Sequence, residues 1–367
     1  MNYISNRKIK ASLKTGIWSF LYPKDRVRFI NQNGGGRVSN VELLRIFSMF
    51  MIMILHADYF TLGVPELDLN GNSFMRVFFQ SFSIVGVDIF VLISGYFGIH
   101  PSLKSISNFL VQCFFYSISL YFVCLVFGDL RISFYGLAQC FYVTKANWFI
   151  KAYCCLYILS PVLNTFITYA DRHTYTMVLL AFFIFQTVFG HYGAVEMFAR
   201  GYSTLSFIAL YLLAGYLKKY NILLASVKKY TLFFIWIALV MLLTLFQYFP
   251  LISGGYGIPL IGNISYINPL VICTAVLVLL LFLKFKFQNK WVNWVASSSF
   301  AVYLIHCNPN VLTPIFSPCI NFIYYTYKGG FVVLYVWAFL IAIFMFAVVY
   351  DQIRKCLWNY ILKYVFK

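Results

Sequence analysis

Ten stretches of this 367-residue chain are apolar for long enough to cross a lipid bilayer, and once they are placed little freedom is left to the fold. A helix needs about 20 mainly apolar residues to span a hydrocarbon core of roughly 30 Å. The stretches run over 41–62, 77–99, 106–127, 147–169, 174–191, 202–217, 231–250, 266–283, 293–312 and 330–350. With 62% hydrophobic and only 10% charged residues, against about a quarter charged in a soluble domain, a water-soluble globule is excluded. The expected fold is an all-α integral membrane protein of about ten transmembrane helices.

The net charge of +18 would suit a nucleic-acid partner if it covered a soluble face, but the cations cluster between apolar runs. No nucleic-acid partner is expected; membrane lipids are. If the ten spans alternate, 21 of the 28 Lys and Arg fall on the side of the N-terminus and five on the other, with Arg45 and Lys151 inside spans. Cytoplasmic loops carry the excess of cations, so both termini are expected in the cytoplasm. The loop 250–265 carries no charge and has room for a re-entrant piece.

Three segments follow: a basic cytoplasmic segment 1–40 drawn to anionic headgroups, a transmembrane domain 41–351, and a basic cytoplasmic tail 352–367. There is no internal repeat or interdomain linker. Gly34, Gly35 and Gly36 and many charges precede a first apolar run too long for an export-signal core, so the mature chain is expected to begin at Met1.

The nine cysteines lie mostly in apolar runs without C-x-x-C spacing, so they read as small hydrophobes. Neither a metal site, a redox pair nor a bound cofactor is expected. The ionisable residues inside the spans are few, and such groups usually face a polar cavity. Arg45 and His56 stand eleven residues apart in N-V-E-L-L-R-I-F-S-M-F-M-I-M-I-L-H, close to three helical turns, which puts them on one face about 16 Å apart along the axis. Either alone would be accounted for by snorkelling or by a bond to a neighbouring helix; the shared face favours a polar stripe. In G-V-D-I-F-V-L-I-S-G-Y-F-G, Asp88 is expected near mid-membrane, where it could orient one His56 ring nitrogen or pair with another helix. Ser94 and Gly95 follow toward the cytoplasm. Asp58 reads equally as a solvated vestibule residue or a chemical one. Trp148 and Lys151 fall at the outer interface, where an aromatic belt is ordinary. Tyr303, His306, Asn308 and Pro309 approach the outer half as a cavity wall, and His100, His173 and His191 fall at loop boundaries.

These segments in this order resemble the membrane-bound acyltransferase-3 family of bacterial O-acyltransferases, many of which acetylate cell-surface polysaccharides. The likeness is carried by Glu42-x-x-Arg45, the Arg45 to His56 spacing, Gly86 to Phe97, Trp148 to Asn164 and Ser299 to His306. It implies that Arg45 and His56 are essential to acyl transfer; beside it, the residues themselves suggest Asp88 as the third catalytic member and Ser94, Gly95, Trp148, Tyr303 and His306 as substrate-binding. The implied donor is cytoplasmic acetyl-CoA, the acceptor a glycan or lipid-linked glycan, and the location a bacterial inner membrane crossed several times. The chain departs from the family where an R-x-x-R type cluster often follows the Ser-Gly motif. Here H-P-S-L-K-S-I-S-N leaves Lys104 as the one strong cation, with Lys218 and Lys219 as substitutes for holding the CoA phosphates.

The expected chemistry is O-acetyl transfer, direct or through an acyl-histidine, with His56 as general base and Arg45 holding an anionic part of the donor. A lipid-linked oligosaccharide flippase would show duplicated halves or paired broken helices. A glycan polymerase would carry a large cationic outer loop. Neither feature is apparent in the sequence.

Overall fold

The computed structural model describes residues 37–66, 72–128, 130–221, 227–253 and 264–365, and these are helical with no strand among them. Nearly all of the expected N-terminal segment, and most of the uncharged 250–265 loop, lie outside the described residues. In chain order the helices are α1 (Ser39–Ala57), α2 (Asn72–Ser83), α3 (Gly86–Phe97), α4 (Leu103–Phe127), α5 (Phe134–Cys140), α6 (Trp148–Tyr169) and α7 (Arg172–Phe185). They continue with α8 (Thr204–Lys219), α9 (Lys229–Ile252), α10 (Pro269–Leu283), α11 (Lys290–Ala296), α12 (Ser299–His306), α13 (Ser317–Thr326) and α14 (Gly330–Val365).

Among the described residues seven helical stretches are long and apolar enough to cross a membrane: Ser39–Leu62, Ser73–Phe97, Ser105–Phe127, Trp148–Tyr169, Arg172–Tyr192, Lys229–Ile252 and Gly330–Tyr360. They match seven of the ten expected runs. The runs at 202–217 and 266–283 form α8 and α10, of 16 and 15 residues. The run at 293–312 is broken into α11, α12 and short turns instead of forming one helix. The break follows the polar Ser297-Ser298 pair and the Asn308-Pro309 step. Irregular backbone at membrane depth is tolerated where protein buries it or where it lines a cavity.

Local chemistry fixes where the helices start. Ser102, Ser133, Asp171, Ser203, Asn268 and Asn289 accept hydrogen bonds from backbone N–H groups in the first turns of α4, α5, α7, α8, α10 and α11. Lys219, read from sequence as a CoA-phosphate candidate, instead caps the C-terminus of α6. Its Nζ donates to the carbonyls of Ile167 (2.8 Å), Thr168 (3.0 Å) and Ala170 (2.7 Å).

The centre of the bundle is α1, with α3, α10 and α12 against it, while α8 packs on the far side of α3. Two glycines permit the close crossings. A Cβ on Gly86 would lie 2.8 Å from the Ser48 carbonyl oxygen, and one on Gly95 would lie 2.7 Å from the Tyr211 Cα. Outward faces carry bare apolar side chains, Phe122, Ile158, Phe234, Leu334 and Phe346 among them, which lipid tails would cover.

Residues 352–365 of the expected basic tail continue α14. Asp351, fully buried, binds the Tyr116 hydroxyl (2.8 Å), Arg354 Nε (2.7 Å) and Lys355 Nζ (3.0 Å). Lys355 also donates to the hydroxyls of Ser297 (2.6 Å) and Ser298 (2.8 Å). Lys355 therefore ties α14 to the broken α11–α12 segment, Asp351 ties it to α4 through Tyr116, and Arg354 pairs with Asp351 within α14.

Candidate active site

His56 occupies the last turn of α1, and the break after α12 brings His306 and Cys307 to it. His306 Nδ1 lies 2.6 Å from the Val302 carbonyl, one turn back along its own helix. A carbonyl oxygen only accepts, so this nitrogen carries the proton and Nε2 is left with a lone pair. His56 Nδ1 lies 3.1 Å from that Nε2 and donates to it. The remaining lone pair of the neutral His56 ring is then on Nε2. Two hydrogen bonds thus place a basic nitrogen without any carboxylate. Cys307 Sγ stands 3.2 Å from His306 Nε2, 3.5 Å from His56 Nδ1 and 3.8 Å from His56 Nε2.

His56 and Cys307 face a cavity of about 250 Å³ walled by Phe60, Trp148, Phe149, Tyr202, Tyr266, Tyr303 and Pro309. Trp148 is held by Tyr202, with ring centroids 4.6 Å apart, and by Phe207 and Tyr266 at 5.7 and 6.0 Å. Tyr303 packs on Phe149 at 5.1 Å. Of the residues singled out from sequence, Trp148, Tyr303 and Pro309 therefore share one cavity with His56, and His306 stands directly behind it. Cys307, read as packing, is part of the cavity wall. Phe60, Tyr202 and Tyr266 carried no signal, since one residue in five of this chain is aromatic.

Asp88 is not the partner of His56. Gly86 meets α1 at Ser48 and Ile52, so antiparallel running places Asp88 near the level of Ser48, about 12 Å along the axis from His56 at 1.5 Å per residue. Its carboxylate is fully buried, and neither oxygen has a hydrogen-bond partner among the described residues. The same register puts Gln80 beside Asp58, whose carboxylate accepts from Gln80 Nε2 (2.5 Å) and from Arg76 Nη2 (3.1 Å). Asp58 is a clamp between α1 and α2. With Arg76 and Tyr324 it borders a larger hollow of about 400 Å³ between α1, α2, α13 and α14, the rest of whose lining is apolar.

Toward the other end of α1, Arg45 is ion-paired with Glu42, which also meets Arg37 at 3.6 Å. About a third of the Arg45 side chain is exposed. Ser94 bonds the Tyr153 hydroxyl at 3.1 Å, and Gly95 is spent on the crossing with α8. Ser94 and Gly95 are not among the residues lining the His56 cavity. Asn308 is buried and caps the turn beginning at Pro309. Lys151 donates to the Thr144 carbonyl at 2.5 Å.

His56, His306 and Cys307 each offer a ligand atom, all within 4.8 Å of one another, and are the set of described residues able to hold a metal ion. A family model described as an acyltransferase domain matches residues 38–351. No curated protein and no solved structure matches the chain.

Proposed function

The chain belongs to the membrane acyltransferase family whose domain it matches over residues 38–351, and on that premise we propose that it is an acetyl-CoA-dependent O-acetyltransferase acting on a glycan hydroxyl. The reading rests above all on one observation, the Val302–His306–His56 relay that leaves a lone pair on Nε2 of a cavity-lining histidine. His56 Nε2 takes the proton of the acceptor hydroxyl as its oxygen attacks the thioester carbonyl. The new C–O bond forms, the C–S bond breaks, and the proton passes from His56 to the departing CoA thiolate. A positioned general base contributes typically 10²- to 10⁴-fold.

The cavity supplies the acceptor's side. Trp148, Tyr202, Tyr266 and Tyr303 offer flat apolar faces with polar edges, which suits a sugar ring with its C–H faces and rim of hydroxyls. Arg45 is the donor-side residue, with guanidinium N–H groups beyond the one given to Glu42 for an anionic part of the acetyl-CoA. Asp88 belongs to the protein between these two ends. In this reading the ten apolar runs all lie in a bacterial inner membrane with both termini cytoplasmic, so α1 joins a cytoplasmic donor to a deeper acceptor site.

The test is transfer of labelled acetyl from acetyl-CoA to a lipid-linked or surface glycan by the purified full-length protein. Loss of labelling in His56→Ala at equal expression is expected, at roughly 10²-fold or more. Unchanged labelling in that variant removes His56 from the chemistry. Movement of unmodified glycan across vesicles without acetylation would assign the chain to transport instead.

A further inference from the structure

The cluster behind the cavity has a property that acyl transfer does not require. The ligand atoms His56 Nδ1, His306 Nε2 and Cys307 Sγ form a triangle with edges of 3.1, 3.5 and 3.2 Å. A tetrahedral zinc ion with Zn–N near 2.0–2.1 Å and Zn–S near 2.3 Å has ligand edges of about 3.3 Å between nitrogens and about 3.6 Å between nitrogen and sulfur. A small outward movement of three side chains is enough to match those edges.

Three further features fit. Histidine ligands usually donate their second ring nitrogen to a carbonyl or carboxylate, which fixes the ring and aims the ligand nitrogen; His306 does so to Val302 at 2.6 Å. Two imidazoles and a thiolate select a borderline-soft ion and disfavour magnesium or calcium, while copper(II) prefers tetragonal geometry. Three protein ligands leave a fourth position, and two of the three ligand residues, His56 and Cys307, line the cavity.

We propose that His56, His306 and Cys307 form a binding site for a zinc-class divalent cation whose occupancy switches off acyl transfer. Coordination takes the Nδ1 lone pair of His56. The proton formerly on Nδ1 moves to Nε2, the Cys307 thiol proton passes to solvent, and one proton is released for each ion bound. With Nε2 protonated, His56 cannot accept the acceptor's proton. This second half rests on His56 acting as the base; the binding half does not.

The experiment uses the purified full-length protein in detergent with Co2+ as a spectroscopic stand-in and Zn2+ as competitor, and acyl transfer is measured separately. One Co2+ per chain with thiolate-to-metal absorption in the near ultraviolet is expected, bleached by Zn2+. Cys307→Ser and Cys307→Ala, each checked for a monodisperse elution profile, are expected to lose that absorption. The ratio of activity with and without Zn2+ is expected to fall at least about tenfold in the wild type. The Zn2+ concentration giving half-inhibition is expected to rise by at least about tenfold in either variant.

Absence of the absorption in the wild type, or its persistence in both Cys307 variants, overturns the site. Stoichiometric binding with undiminished transfer at saturating Zn2+ overturns the inhibitory role and the assignment of Nε2 as base, while the binding site stands. Stoichiometric binding in a protein that transfers no acyl group sinks the proposed function and supports the metal site on its own.

Discussion

Val302, His306 and His56 are joined by two hydrogen bonds that admit one proton arrangement in the neutral state, because a carbonyl oxygen only accepts. His306 is fully buried and does not line the cavity, so it acts on the reaction through His56. Replacing it tests positioning apart from packing. In His306→Gln the side-chain oxygen can still accept the His56 Nδ1 proton. In His306→Leu of similar bulk nothing accepts it, the tautomer is released, and the N–H is left without its acceptor at about 1–3 kcal/mol. We expect kcat to fall roughly 10²-fold in the leucine variant, the lower end of what a positioned base contributes, with KM for the acceptor little changed and most of the activity kept in the glutamine variant. Equal losses in both would mean that His306 serves as packing alone.

At the scale of helices, Gly95 shows how a residue flagged for substrate contact does its work in assembly. Its α-carbon faces the backbone of α8, where an added methyl would meet the Tyr211 main chain. Close by, the Tyr211 hydroxyl accepts from the Ile99 N–H (2.8 Å) and donates to Asn164 (2.6 Å), so the crossing cannot shift without loosening that network. Gly95→Ala is expected to destabilise the protein by about 1–3 kcal/mol, the usual cost of overpacking, read as a lower melting temperature in detergent. An unchanged melting temperature with impaired substrate binding would return Gly95 to the site. That Arg45 and His56 belong to one helix was legible in the sequence, because the apolar run holding both is unbroken. The pairing of Asp88 was not. It depends on the register between α1 and α3, set by where Gly86 lets the backbones touch, and no spacing within one segment encodes that. The breaks before and after α12 left traces in Ser297 and Ser298 and in Asn308 and Pro309, which the apolar residues around them masked. The clamp at Asp351 was hidden for the opposite reason: Arg354 and Lys355 looked like tail charges, and their acid lies just inside the helix that continues into that tail.

For the molecule as a whole, the groups that titrate near neutrality outside the spans bear on how stability follows pH. His100 lies between α3 and α4 beside Lys218, in the corner where Gly95, Gly98 and Asn164 also meet. Partial burial, and after it the Lys218 ammonium, hold its imidazole below the ordinary 6.5. Just under that value the unfolded chain binds more protons than the folded one, so stability rises with pH across the window. The contribution is fully present above 6.5 and is lost as pH falls below it. We expect the melting temperature of the full-length protein to drop between about pH 7 and pH 5.5, with a gentler slope in His100→Gln, whose side chain does not titrate. The ring keeps contact with solvent, so the difference between the two slopes is shallow. Added salt should narrow the part owed to Lys218 and leave the part owed to burial, since screening acts on exposed charges and not on desolvation. Parallel slopes in wild type and variant would show that the protonation of His100 is not coupled to folding. A steeper slope in His100→Gln would mean that protonated His100 stabilises this corner, opposite to the sign its surroundings dictate.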